Sequence, residues 1–224
     1  GGGALAEAVL MRGFRVRAMH RRPGVLIAAR PRLEWVSGDA MNAGDVLRAA
    51  EGASVIVHGV NPPGYQNWGE LVLPMIDNTI AAARAVGARI LMPGTIYNFG
   101  PDAFPLLTEE SSQLPQTVKG RIRGALEQRL ERAADAAVPV RLVRAGDCFG
   151  PDAGNNWFAQ GLVQPGKRVR FVINPGRKGA GHAWAYLPDV AETFMRLLDK
   201  ADSLPAFARF HMEGFYDHAG TQMA

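Results

Sequence analysis

The 224-residue chain has one cysteine, Cys148. That excludes an internal disulfide framework and any zinc site built from several thiolates of one chain, and it fits a reducing compartment. No apolar run approaches the roughly 20 residues that a membrane helix needs. The short apolar stretch at 4–11 contains Glu7, is followed by Arg12, and has neither a basic head nor a cleavage-like site. A soluble, cytoplasmic protein without a membrane partner is expected. The five histidines lie far apart, and none shows His-x-x-x-His or carboxylate-paired spacing, so no metal is expected. Basic residues outnumber acidic ones by 25 to 21, yet they form no aromatic-interleaved tract and no helix-turn-helix pattern. No nucleic-acid partner is expected.

What is present begins at the first residue. Gly1, Gly2 and Gly3 run directly into a helical pattern, followed by Gly13 and an alternating strand. Glycines at a helix start let a diphosphate approach bare amides at the positive end of the helix dipole. This looks like the second half of a dinucleotide-binding fingerprint, which normally follows a hydrophobic strand. Without that strand a doubly wound sheet would have two unpaired edges at its centre. The chain is therefore expected to start inside a longer polypeptide and to continue past Ala224.

Period and punctuation predict helices over 3–12, 43–51, 70–86, 116–136 and 189–200. Strands are predicted over 14–20, 33–36, 54–60, 89–92, 140–144 and 207–212. Such alternation means an α/β fold, a doubly wound parallel sheet with helices on both faces. Residues 1–146 are read as the dinucleotide-binding core. Residues 147–224 are read as a small substrate lobe with a returning helix and strand. Within it, His182, Trp184 and Tyr186 alternate onto one strand face.

These pieces together resemble the extended or atypical short-chain dehydrogenase/reductase superfamily, in its NAD(P)-dependent epimerase/dehydratase-like branch. The resemblance rests on Gly1 to Gly3 with Ala4-Leu5-Ala6, the strand end Val16 to Pro23, Gly38-Asp39, Asn78 and Gly94-Thr95-Ile96-Tyr97. It continues through Arg144 to Pro151 and Leu187 to Glu192. It implies a Rossmann-like fold, the pyrophosphate on Gly1, Gly2 and Gly3, and Asp39 near the adenine edge. An acid after the first strand would accept from a ribose 2′-hydroxyl, whereas this chain reads His20-Arg21-Arg22. Arg21 and Arg22 therefore favour NADP over NAD.

One family feature is absent. The usual Tyr-x-x-x-Lys pair is replaced by Lys119 and Arg123, followed by Glu127, and the nearest hydroxyl to the family serine or threonine is Thr95. The recurrence of Val118, Ile122, Leu126 and Leu130 predicts the buried stripe of that helix, with Lys119 and Arg123 along its margin. A partly desolvated lysine beside a fixed cation releases its proton more readily. Lys119 is thus the candidate acid/base, with Arg123 as ribose or phosphate anchor. The alternative is that both pair on the surface with Glu127, Glu109 or Glu110.

Tyr65 and Trp68 follow the third strand on a loop expected to lie over the cofactor, and with Trp157 they are candidate substrate contacts. His58 is read as a packed core residue bonded to backbone, or else as lining the cleft. Two functions stay open: an enzyme transferring hydride to or from a small carbonyl or alcohol substrate, and a non-catalytic NAD(P)-sensing regulator. A homodimer through the 70–86 and 116–136 helices would follow the family habit.

Overall fold

The structure is a computed structural model that describes residues 2–62, 66–151, 166, 168, 170, 172 and 179–222. The order is α1 (Gly2–Met11), β1 (Arg17–His20), α2 (Gly24–Ile27), β2 (Glu34–Ser37), α3 (Ala43–Ala50), β3 (Val55–Val57) and α4 (Trp68–Val86). Then come β4 (Arg89–Gly94), α5 (Val118–Asp135), β5 (Val140–Arg144), β6 (Asp147–Phe149), β7 (His182–Tyr186), α6 (Leu187–Asp199), β8 (Phe207–His211) and β9 (Phe215–Asp217). Local chemistry sets several boundaries. Asn42 accepts from the Asp45 amide at 3.1 Å to cap α3, and Thr117 accepts from the Gly120 amide at 3.0 Å to cap α5.

The central sheet runs β3-β4-β5-β8, all parallel, and β1 pairs β2 in a separate parallel ladder. Among the described residues no hydrogen-bonded ladder joins the two. β3 is shorter than the predicted 54–60: among the described residues it pairs only with β4, and its ladder ends with the His58 amide on Leu91 O at 2.9 Å. A third sheet, β6-β7-β9, carries the C-terminal strands. The sequence reading foresaw β7 but not β6 or β9, each of which is too short to show a period.

Alternation along the strands sorts side chains to opposite faces. Ile90 and Met92 of β4 and Val140 and Leu142 of β5 pack against Ile76 and Ile80 of α4 and Leu126 and Leu130 of α5. Leu91 and Val143 point the other way, onto Leu5 of α1 and Phe194 and Met195 of α6. Helices thus cover both faces, as the doubly wound reading requires. Val46 and Ala50 of α3 complete the first face against Ala82 and Met19.

The α5 stripe differs from expectation at its start. Val118 is 64% exposed, and the buried face instead begins at Gly120 and runs through Gly124, Leu126, Glu127 and Leu130. The cause is backbone approach: a Cβ on Gly120 would lie 2.2 Å from Tyr97 O, so the loop after β4 can rest there only on a glycine. The helix is rotated accordingly.

Arg141 on β5 is buried, and its guanidinium serves carbonyls where α6 returns to the sheet. It donates to Pro205 O and Ala201 O at 2.8 Å, to Val140 O at 2.9 Å and to Ala206 O at 3.1 Å. Substitution Arg141→Met keeps the stem but orphans several of these acceptors. It is expected to lower unfolding free energy by roughly 3 kcal/mol, measured by urea titration, with the folded-state circular dichroism unchanged.

Candidate functional site

The first helix starts against the carboxyl end of β3. A Cβ on Gly59 would stand 3.2 Å from the Gly2 Cα, so the close approach needs glycine. Among the described residues nothing beyond its chain neighbours and the helix's own backbone lies within 4 Å of where a Cβ of Gly2 would be, which leaves room at the amino end of α1. Bare amides, the positive end of a ten-residue helix and room beside them fit a diphosphate. Gly1 lies outside the described residues. Arg30 packs its guanidinium against Gly3, with Nη1 3.4 Å from Gly3 O and 3.2 Å from Glu7 Oε1. Its backbone carbonyl accepts from Trp35 Nε1 at 3.1 Å. No local spacing marks Arg30, because only the fold brings the segment between α2 and β2 onto the first turn of α1.

Arg21 and Arg22 are exposed just past β1, and the Arg22 amide donates to His20 Nδ1 at 3.0 Å. Asp39 is half-buried after β2; its Oδ1 accepts from the Met41 amide at 2.9 Å and its own amide donates to Asp45 Oδ2 at 2.9 Å. Asn78 of α4 ties this turn down by donating to Ala40 O at 2.9 Å.

Thr95 follows β4, and Lys119 and Arg123 occupy the first turns of α5. The two cations meet the same ring: Arg123 Cζ lies 4.9 Å and Lys119 Nζ 5.8 Å from the Trp68 ring centre. Trp68, expected on an open loop, is the first residue of α4 and only 4% exposed. Its ring belongs to the core between α4 and α5. Lys119 itself is exposed, so the partial desolvation expected of it is not found, while Arg123 is half-buried. Of the three acids considered as their surface partners, Glu127 bonds Arg144 and Glu109 accepts from the His211 amide.

His58 is buried where β3 ends. Thr79 Oγ1 donates to Met75 O at 3.1 Å, so it accepts from His58 Nδ1–H at 2.8 Å and fixes the tautomer. The partner is thus a side chain rather than the backbone group expected. Burial first, and the Arg123 charge second, push His58 down to about 4.

Behind Thr95 lies a chain of polar contacts. Thr95 Oγ1 is 3.4 Å from Asn98 Oδ1, Asn98 Nδ2 donates to Gln113 Oε1 at 3.0 Å, and Gln113 Nε2 donates to Glu127 Oε2 at 3.0 Å. Arg144 clasps Glu127 from β5, with Nε on Oε1 at 3.1 Å and Nη2 on Oε2 at 2.5 Å. The remaining Arg144 nitrogen faces His211 Nε2 at 2.7 Å, and His211 Nδ1 meets Leu107 O at 3.2 Å. Burial, then Arg144, hold His211 below the usual imidazole range. None of Asn98, Gln113, Arg144 or His211 was singled out from sequence for this role. Their contacts span four separate segments, so no spacing could reveal them.

On the third sheet His182 Nε2 meets Asp147 Oδ2 at 2.7 Å, and the His182 and Trp184 rings lie 4.6 Å apart. Tyr65 and Trp157 lie outside the described residues. Among those described, no group of His, Cys, Asp and Glu could hold a metal, and no helix is long and apolar enough to cross a membrane.

A family model described as NAD(P)H-binding matches residues 1–129. No curated protein matches the sequence. Among solved structures, a dTDP-glucose 4,6-dehydratase from Streptomyces venezuelae with NAD bound is similar over 99% of this chain and 75% of its own, with a TM-score of 0.76 at 17% identity. The UDP-Glc/GlcNAc 4-epimerase of Campylobacter jejuni matches over 99% and 78%, with a TM-score of 0.74 at 14% identity. A UDP-glucose 4-epimerase from Brucella ovis, in complex with NAD, matches over 99% and 77%, with a TM-score of 0.72 at 13% identity. At such identities the likeness establishes the Rossmann-like fold.

The depressed His58 gives a pH signature. The unfolded chain takes up a proton near 6.5 while the folded one resists until about 4. Unfolding therefore becomes easier as pH falls through that window, and the contribution is fully present only above it. Urea titrations from pH 7 to 4 are expected to show this loss, and His58→Gln to make the slope shallower by up to roughly 3 kcal/mol over the window.

Proposed function

The chain belongs to the NAD(P)H-binding family, and from that premise we propose that it is an NADP-dependent oxidoreductase or epimerase/dehydratase-like enzyme acting on a small carbonyl or alcohol substrate. The observation that carries this reading is convergence. The glycine start of α1 rests on Gly59 at the carboxyl end of β3, and Thr95, Lys119 and Arg123 follow the adjacent strand β4 within the matched region. Ligands of open α/β sheets bind at the carboxyl ends of the strands.

A bound nicotinamide supplies hydride exchange with the carbon that carries the substrate oxygen. The protein's part is to hold and to move protons. In this proposal the amides of Gly1, Gly2 and Gly3 take the diphosphate, Asp39 lies at the adenine edge, and exposed Arg21 and Arg22 take the 2′-phosphate. Arg123 anchors the ribose or a neighbouring phosphate from α5, with Trp68 packed beneath it. Lys119 exchanges a proton at the substrate oxygen, taking the place of the family tyrosine, and Thr95 orients that oxygen. Trp68 is too buried to act as the substrate contact foreseen. Tyr65 and Trp157 keep that role as expectations.

The test starts with fluorescence titrations of NADPH and NADH, followed by a screen of carbonyl compounds for loss of nicotinamide absorbance. Lys119→Ala is expected to lower turnover roughly 100-fold with cofactor affinity kept, and Lys119→Tyr to retain more activity than alanine. Cofactor binding without turnover on any substrate favours the sensing role instead. Separately, Arg21→Ala with Arg22→Ala is expected to weaken NADPH about tenfold more than NADH. An unchanged ratio removes the phosphate assignment.

A further inference from the structure

The segment from Phe104 to Ser112, between β4 and α5, lies as a strap against the ends of β5 and β8. Two of its fastenings fall on one residue, His211, the last of β8. The His211 amide donates to Glu109 Oε1 at 2.6 Å, and the ring meets Leu107 O through Nδ1 at 3.2 Å. Phe99 packs edge-on against the same ring, with centroids 5.7 Å apart. Phe104 and Leu106 on the strap are exposed, so apolar burial adds little to its hold.

The contacts of the ring fit one protonation state. Arg144 can only donate, so His211 Nε2, 2.7 Å from its Nη1, must accept. The single ring hydrogen is then on Nδ1, which donates it to Leu107 O. A second proton would go to Nε2 and set two donors and two positive charges face to face. Arg144 cannot retreat, because it is fully buried and its Nε and Nη2 are bound to Glu127. The imidazolium turns away instead, and Leu107 O loses its donor.

The charged groups around His211 are Arg144 from β5, Glu127 from α5 and Glu109 from the strap, with Arg209 on the same face of its own strand. The two acids favour the imidazolium, but burial and then Arg144 outweigh them. The second fastening weakens in the same direction as pH falls. Glu109 accepts the His211 amide as a carboxylate, and that bond holds its carboxyl below the usual range.

We propose that the strap is an acid-released latch, with protonation of His211 Nε2 against Arg144 as its trigger. At neutral pH the segment that runs from Thr95 to Lys119 is fixed at its middle; acid frees it. The latch does not depend on the enzymatic reading of the cleft, and its test needs no cofactor.

In the 15N-histidine-labelled full chain, His211 at pH 7.5 is expected to show the Nδ1–H tautomer and to titrate below the ordinary 6.5. The opposite tautomer, or a midpoint at or above 6.5, overturns the latch. Opening then grows as pH falls below 6.5, by up to about tenfold per pH unit, because the freed strap lets His211 take the proton that the closed one resists. Hydrogen exchange of the His211 amide, corrected for its intrinsic rate, follows that opening from pH 7.5 to 4.5. The Ile90 amide, bonded to Pro139 O in the central sheet, is the control, since His58 loosens the whole fold over the same range. Exchange at position 211 is expected to gain at least fivefold on that at Ile90. His211→Gln keeps an acceptor for Arg144 and removes the titration, and is expected to hold the gain to about twofold. An equal gain in both proteins, or none in the unaltered one, overturns the proposal. If that variant does not fold, the tautomer, the midpoint and the gain in the unaltered protein decide.

Discussion

A single ion pair holds the functional half of this molecule in register. Glu127 and Arg144 are both buried, one on α5 and one at the end of β5, so neither charge can return to water without moving a helix against the sheet. Such a pair adds little stability over a well-packed apolar one, because desolvation of both ions opposes their attraction. Removing one partner is another matter, costing about 3–5 kcal/mol through the stranded charge. The interaction acts as a constraint on geometry: of the ways α5 could roll on β4 and β5, the one that pairs these charges is selected.

That constraint reaches outward in two directions. On one side it sets where Arg123 and Lys119, one and two turns earlier on the same helix face, meet the Trp68 ring. On the other it passes through Gln113 and Asn98 to Thr95, and through His211 to the strap at Leu107 and Glu109. The loop between β4 and α5 is thus fastened at several points by polar groups, with Phe99 buried against Arg144 and His211. Leu106 and Leu114 within it are exposed. A loop held this way has a defined position.

The fold shared with nucleotide-sugar epimerases and a dehydratase explains the framework but not the chemistry. His58, buried beside Arg123, is held neutral by its surroundings. Arg30 adds a further positive group against α1, balanced by Glu7.

Sequence by itself determined the alternation of most of the strands and helices and the doubly wound class. These follow from period, turn residues and glycine placement, all of which act over a few neighbouring positions. Tertiary structure alone decided that Val118 faces solvent while Gly120 lies under Tyr97 O, that Trp68 is core, and that Glu127 serves Arg144 rather than Lys119 or Arg123. It also brought Asn98, Gln113 and His211 into one hydrogen-bonded line. Each of those outcomes depends on which distant backbone or charge arrives at a given face, and the burial that makes such an encounter costly to leave unsatisfied exists only once the sheet and its helices have come together.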